Sequence, residues 1–203
     1  VSKAVGGVII VALMVLLVFA ALRFSRRLLP ITPYIDGVSK LAGVIASWLV
    51  LLACLVSTIN ACVRYLLNTS SNAWLELQWY MFAGMVLLGA AETLRRNEHV
   101  RVDLIYGAVS NRAREWIDLL GGIVFLMPMC VIMIYFTWPV FVESWRFNEM
   151  SSNAGGLVRW PVKLLLPAGF FFVLLQGISE IIKRAAALTG LAVEEIAYEK
   201  PLQ

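Results

Sequence analysis

Two patterns in this chain have the residue types and spacing for proton or ion chemistry. His99 and Asp103 stand four apart, which on a helix puts them on one face at proton-transfer spacing, with Glu92 upstream as a further acid. Such a set would suit an integral-membrane enzyme working at the inner surface. Glu76, Glu92 and Glu180 lie inside apolar runs, where a charge costs at least a few kcal/mol, and buried acids of this kind are the usual carriers of ions and protons.

Against both stand the positions. Each of the three acids lies about one helical turn from the end of its run, within reach of the headgroup region, so no mid-membrane acid pair exists for a relay. The alternation of Val100, Val102 and Leu104 with His99, Arg101 and Asp103 fits an extended or interfacial segment as well as a helix. A single histidine beside Arg95, Arg96 and Arg101 reads as a docking or structural residue. There is no Ser-His-Asp set, metal-ligand cluster or phosphate-binding glycine loop, so no catalytic residue, metal or cofactor is expected.

The elements that position these residues follow from composition. Of 203 residues, 61% are hydrophobic and 15% charged, more apolar than soluble domains, so the chain belongs in a bilayer. A crossing helix needs about 20 apolar residues. Five spans are expected, at 4–22, 41–63, 74–94, 116–138 and 162–182, giving an all-α integral membrane protein. The first run is too long for a signal-peptide core and reads as a retained anchor. The +4 net charge sits at span ends without interleaved aromatics, which argues against nucleic acid.

With the N-terminus outside, 12 of the 17 basic residues fall in inner loops and tail, and the positive-inside rule then places the C-terminus in the cytoplasm. Trp74, Trp79, Trp138, Trp145 and Trp160 then mark the outer boundary, and Trp48 and Trp116 the inner one. Cys54, Cys62 and Cys130 sit in apolar runs as small hydrophobes. Pro30 and Pro33 predict a break in a 28–40 connector. SNRAREWID at 110–118 opens with Ser and Asn as N-caps and reads as a basic amphipathic entry to the fourth span, lying along the inner surface before it dives. The outer loop SWRFNEMSSNAGGLVRWP predicts a turn at Gly155-Gly156 and a mobile segment. The tail from Thr189 reads as frayed or as a short surface helix.

Within 74–94, Glu76, Tyr80, Ala83, Gly84, Leu87 and Ala91 share one helical face, polar outside and small in the middle. Small residues allow helices to approach, so this face predicts protein contact, the alternative being that Glu76 snorkels to water. Arg64 and Glu76 flank a short connector and would pair if their helices are antiparallel neighbours; a lipid phosphate for Arg64 is the equal alternative. Asn60 and Gln176 are neutral groups able to bridge helices. No internal repeat or pair of broken spans is visible, unlike a complete secondary transporter.

Several motifs occur together and in order: RYLLN at 64–68, SSNAWLELQWYMF at 70–82, LLGAAETLRRNEHVRVD at 87–103 and SSNAGGLVRWPVKLLLPAGFFFVLLQGISEIIK at 151–183. Over residues 38–185 the chain resembles the small membrane subunit, DctQ type, of tripartite ATP-independent periplasmic (TRAP) transporters, nearest the mannitol/chloroaromatic-compound branch. The resemblance implies a non-catalytic scaffold in the bacterial inner membrane. Its partners would be a large elevator-type permease subunit and a periplasmic substrate-binding protein, in sodium-coupled uptake of an organic acid or related molecule.

Carried over by motif, Arg64, Asn68, Trp74 and Glu76 fall on the outer hairpin pattern, joined on the helix face by Tyr80 and Gly84. His99, Val100 and Asp103 fall on the inner-loop pattern, with Glu92 before them. Glu143, Arg146, Glu149 and Arg159 flank the loop expected to receive the binding protein. The family pattern has four spans, so the organisation expected is an extra N-terminal helix with its basic flank at 1–30, a four-helix domain at 31–188 and a cytoplasmic tail at 189–203.

Overall fold

A computed structural model describes residues 2–69, 71–98 and 109–191, with side chains from residue 14 onward. Its helices are α1 (Ser2–Leu28), α2 (Thr32–Leu67), α3 (Asn72–Arg96), α4 (Asn111–Gly121), α5 (Met127–Arg146) and α6 (Trp160–Leu188). Among the described residues the sole β feature is an isolated antiparallel bridge, Met150 to Val158.

The expected break after α1 shrinks to one 3-10 turn, Leu29–Ile31, and α2 already contains residues 34–40. Leu28 and Thr32 both have right-handed helical dihedrals, and the Thr32 N–H donates to the Leu29 carbonyl. Pro30 sits in the first positions of the 3-10 turn and Pro33 in the first turn of α2, where a missing N–H costs nothing because that donor has no helical partner. Proline here starts helices and does not open a loop.

The segment at 110–118 leads into the fourth apolar run, as expected. Ser110 is the N-cap, accepting from the Ala113 N–H at 3.4 Å, and α4 continues through a π-helical turn, Gly122–Leu126, into α5. The glycine pair Gly121-Gly122 stands at the start of the π turn, and a Cβ on Gly122 would already lie 3.0 Å from Ile181 Cγ1.

Three described stretches are long and apolar enough to cross a membrane: Met14–Leu67, Asn111–Arg146 and Trp160–Leu188. The first merges the ends of two expected spans, and α3, with Glu76, Gln78 and Glu92, is helical over the expected 74–94 without being among the three. A helix end left by asparagine or glycine recurs: Asn68, Asn97, Asn148 and Gly190 all have positive φ just beyond α2, α3, α5 and α6. Asparagine tolerates this left-handed position better than other residues with a Cβ, which explains the last letter of RYLLN.

The chain divides into two compact units. One comprises Val1–Gly37, Leu94–Met129 and Leu174–Gln203. Its core is Leu119, Ile123 and Ala185, packed by Val18, Ala21 and Leu22 of α1, Trp116 of α4, and Ile181 and Leu188 of α6.

The other unit comprises Val38–Thr93 and Cys130–Val173. Here α2 turns a stripe of small residues inward, with Ser39, Ala42 and Ala46 buried, while Leu41, Val44, Ile45, Trp48, Leu51 and Leu55 are exposed. An apolar exterior around a small-residue seam is the pattern of a helix in lipid, where close backbone approach replaces hydrophobic burial. Close approach is enforced at Gly169 of α6: a Cβ there would lie 2.7 Å from Leu87 Cβ and 3.0 Å from the Leu87 carbonyl oxygen. Gly169→Ala is therefore expected to destabilise the unit by roughly 1–3 kcal/mol despite alanine's better helix propensity, as backbone must move. A detergent-unfolding midpoint equal to wild type would refute it.

Candidate functional site

The outer loop closes on one carboxylate. Glu76, in the second turn of α3, is 5% exposed. Its Oε1 accepts from Ser151 Oγ and from Asn153 Nδ2 at 2.8 Å, and its Oε2 accepts from the Leu157 backbone N–H at 2.7 Å. Two neighbours on the same helix add bonds to the loop: Asn72 Nδ2 to the Ala154 carbonyl at 3.0 Å, and Tyr80 Oη to the Val158 carbonyl at 3.2 Å. Spacing of four residues places Asn72, Glu76 and Tyr80 in a row that faces one side of the loop.

The loop is built to meet them. Asn148 ends α5 in the left-handed region, with the Glu149 N–H donating to the Ser144 carbonyl and the Asn148 N–H to that of Trp145. Ser151 N–H to the Leu157 carbonyl and Arg159 N–H to the Glu149 carbonyl tie the two arms, and Gly156 N–H to the Asn153 carbonyl closes the tip. Gly155, at φ +70°, supplies the conformation the tip needs. A Cβ on Gly156 would fall 2.5 Å from Ser151 Cβ and 2.9 Å from Glu76 Oε1, so only glycine leaves the carboxylate its place. At the base, Trp145 meets Trp160 edge-on at 4.5 Å. The segment expected to be mobile is thus tied down along its length.

Glu149 forms the second electrostatic anchor, paired with Lys163 and with Arg159 Nη1 at 3.6 Å. The hydrogen bond from Lys163 holds its carboxyl below the usual range. Glu149 and Arg159 are therefore partners inside the loop. Glu143 and Arg146 are exposed on the last turns of α5.

The remaining expected residues sort by geometry. Arg64 is exposed and forms no pair with Glu76 among the described residues, which corrects the hairpin pairing: the loop saturates the carboxylate first. Asn68 is the cap after α2, and Trp74 is exposed. Gly84 is buried, a Cβ there reaching within 2.9 Å of Leu49 Cδ1 and 3.6 Å of Leu165 Cδ1, so the small face of α3 is spent within this chain. Glu92 is buried too, its Cγ lying 2.5 Å from where a Cβ of Gly43 would stand. His99 and Asp103 lie outside the described residues, as does the tail from residue 192.

A second cluster escaped sequence reading. Asp36 of α2 pairs with Lys183 of α6 at 2.7 Å and accepts from Ser179 Oγ at 2.8 Å and Gln176 Nε2 at 3.1 Å. Lys183 also holds Glu180 at 2.9 Å, and Gln176 bonds Glu180 at 3.1 Å. Next to it in sequence, Arg184 pairs with Glu115 at 2.9 Å and Asp118 at 3.6 Å of α4. Gln176 therefore bridges helices as expected, whereas no bond of Asn60 is present among the described residues. Asp36 was hidden because 28–40 reads as a connector; an acid one turn from Pro33 in a chain with basic helix ends was the available signal.

In the two clusters Glu76, Asp36, Glu180, Glu115, Asp118 and Glu149 all have partners within the chain. Among the described residues no group of three metal-ligating side chains occurs. The family model described as "Tripartite ATP-independent periplasmic transporters, DctQ component" matches residues 53–187, from within α2 to the end of α6. No curated protein matches the chain.

Proposed function

The chain belongs to the DctQ component family of the tripartite ATP-independent periplasmic transporters, and from that premise we propose that it acts as a non-catalytic scaffold for a large permease subunit. The observation that carries the scaffold role is that the Glu76 and Asp36 carboxylates are each met by several of the chain's own donors, which hold helices and loop together. The complete system imports an organic acid or related small molecule, driven by a sodium gradient, with a periplasmic binding protein delivering it. The resemblance of the outer-loop motifs, not the family match, is what favours the mannitol/chloroaromatic branch.

The protein lies in the bacterial inner membrane with its N-terminus periplasmic, supported by the 12 of 17 basic residues on one side. Five crossings remain our reading: the 54-residue stretch Met14–Leu67 is about 80 Å as helix, against about 30 Å for one passage, and we count α3 as a crossing of the domain 31–188 on its length of 25 residues. The isolated chain, reconstituted in vesicles, is expected to take up nothing. Uptake is expected only with the large subunit and binding protein, and only under an imposed sodium gradient. Uptake by the chain alone would overturn the scaffold role.

The docking reading now rests on Glu143 and Arg146, since Glu149 and Arg159 hold the loop. Glu143→Lys is expected to lower uptake several-fold at limiting binding protein and low salt, with recovery at saturating binding protein and an intact membrane complex, because rim charges act on association. Uptake unchanged over the whole concentration range would remove Glu143 from the interface.

A further inference from the structure

At the end of α1, three arginines crowd one face. Arg23, Arg26 and Arg27 follow the i, i+3, i+4 rule and are all exposed. Ser25 is buried among them, its Oγ donating to the Leu22 carbonyl at 3.1 Å, and Val18, Ala21 and Leu22 pack into the Leu119 core. At 3.6 residues per turn the three guanidinium groups therefore point directly away from the packed side of α1. They form no ion pair among the described residues, unlike Arg184 and Lys183 of the same unit. Phe24 and Leu28 lie exposed along the flank of this face, and Tyr34, 79% exposed, follows the 3-10 turn.

Unpaired cations beside exposed apolar side chains on a membrane helix match one kind of partner, a molecule with an anionic head and hydrocarbon chains. Guanidinium groups bind phosphate through paired N–H donors, and an apolar flank gives the acyl chains a surface. We propose that the arginine face of α1 is a binding site for anionic phospholipid headgroups. It goes beyond the transport reading and needs no partner protein. The lipid would fix the end of α1 at the headgroup level, where three uncompensated charges are otherwise held only by water.

The test uses the full chain, purified in detergent, stripped of lipid and titrated with phosphatidylglycerol, phosphatidylcholine or glycerol 3-phosphate, with adducts counted by native mass spectrometry. Phosphatidylglycerol is expected to bind in preference to phosphatidylcholine, weaken with salt and resist displacement by glycerol 3-phosphate. Each arginine near an anionic lipid surface contributes roughly fivefold, so the Arg23→Gln, Arg26→Gln, Arg27→Gln triple variant is expected to lose tenfold or more in phosphatidylglycerol affinity with phosphatidylcholine unchanged. The corresponding triple lysine variant keeps most of the binding and shows that charge, not folding, was removed. Equal phosphatidylglycerol binding by the triple glutamine variant overturns the proposal, as does equally tight binding of glycerol 3-phosphate. So does a triple variant whose lipid binding is intact while its assembly with the large subunit fails, which would assign the face to protein.

Discussion

Glu76→Ala is expected to release the outer loop from α3 and to abolish most uptake by the assembled transporter while leaving the helices folded. The carboxylate accepts three bonds, from Ser151, Asn153 and the Leu157 amide, and among the described residues no other side chain meets both arms of the hairpin in this way. Removing it strands three donors in a nearly closed space, and hydrogen bonds to a charged group are the stronger kind. The closed-to-open ratio of the loop should fall roughly tenfold or more. Hydrogen exchange at the Leu157 amide reads this directly, because that N–H donates to the carboxylate itself. Glu76→Gln keeps the volume but turns one acceptor into a donor facing donors, so it is expected to behave nearly as badly. Ser151→Ala and Asn153→Ala should each cost less, and combining either with Glu76→Ala should add little, since the partners share one acceptor. An unchanged Leu157 exchange rate in Glu76→Ala would show that the bridge and turn bonds hold the loop unaided.

Glu76 also shows what a sequence can and cannot convey. Its helical face was legible from the spacing of Glu76, Tyr80 and Gly84, because helix period depends only on local geometry. The identity of its partners was not, because Ser151, Asn153 and Leu157 stand 75 to 81 residues away and reach it only through the left-handed turns at Asn148 and Gly155. Arg64 was the nearer cation in sequence and the wrong one. Glycine told a similar story: the run around Gly155-Gly156 announced a turn, yet the same small residues that suggested mobility are what admit Ser151 and the carboxylate at close range. The prolines misled for a physical reason too, since Pro30 and Pro33 restrict the residue before them but suit the first turn of a helix. Asp36, one turn beyond Pro33, was lost with that connector.

The Asp36 cluster carries the other large effect. Lys183 stands between Asp36 and Glu180, at 2.7 and 2.9 Å, with the three side chains only 17%, 23% and 15% exposed. Gln176 Nε2 touches both carboxylates, so the two acids lie close to one another and only the ammonium keeps their repulsion in check. Breaking a buried pair by deleting one partner costs about 3–5 kcal/mol, and the partial exposure here brings Lys183→Met down to about 2 kcal/mol. Asp36→Asn in the same chain removes one of the two stranded charges while keeping the shape and an acceptor for Ser179. The double variant is therefore expected to be more stable than Lys183→Met alone, a reversal that a loss of packing would not produce. Detergent-induced unfolding of wild type, both single variants and the double variant measures the coupling. If the two substitutions simply add, the lysine serves as a hydrocarbon spacer along α6, and its charge does not join α2 to α6.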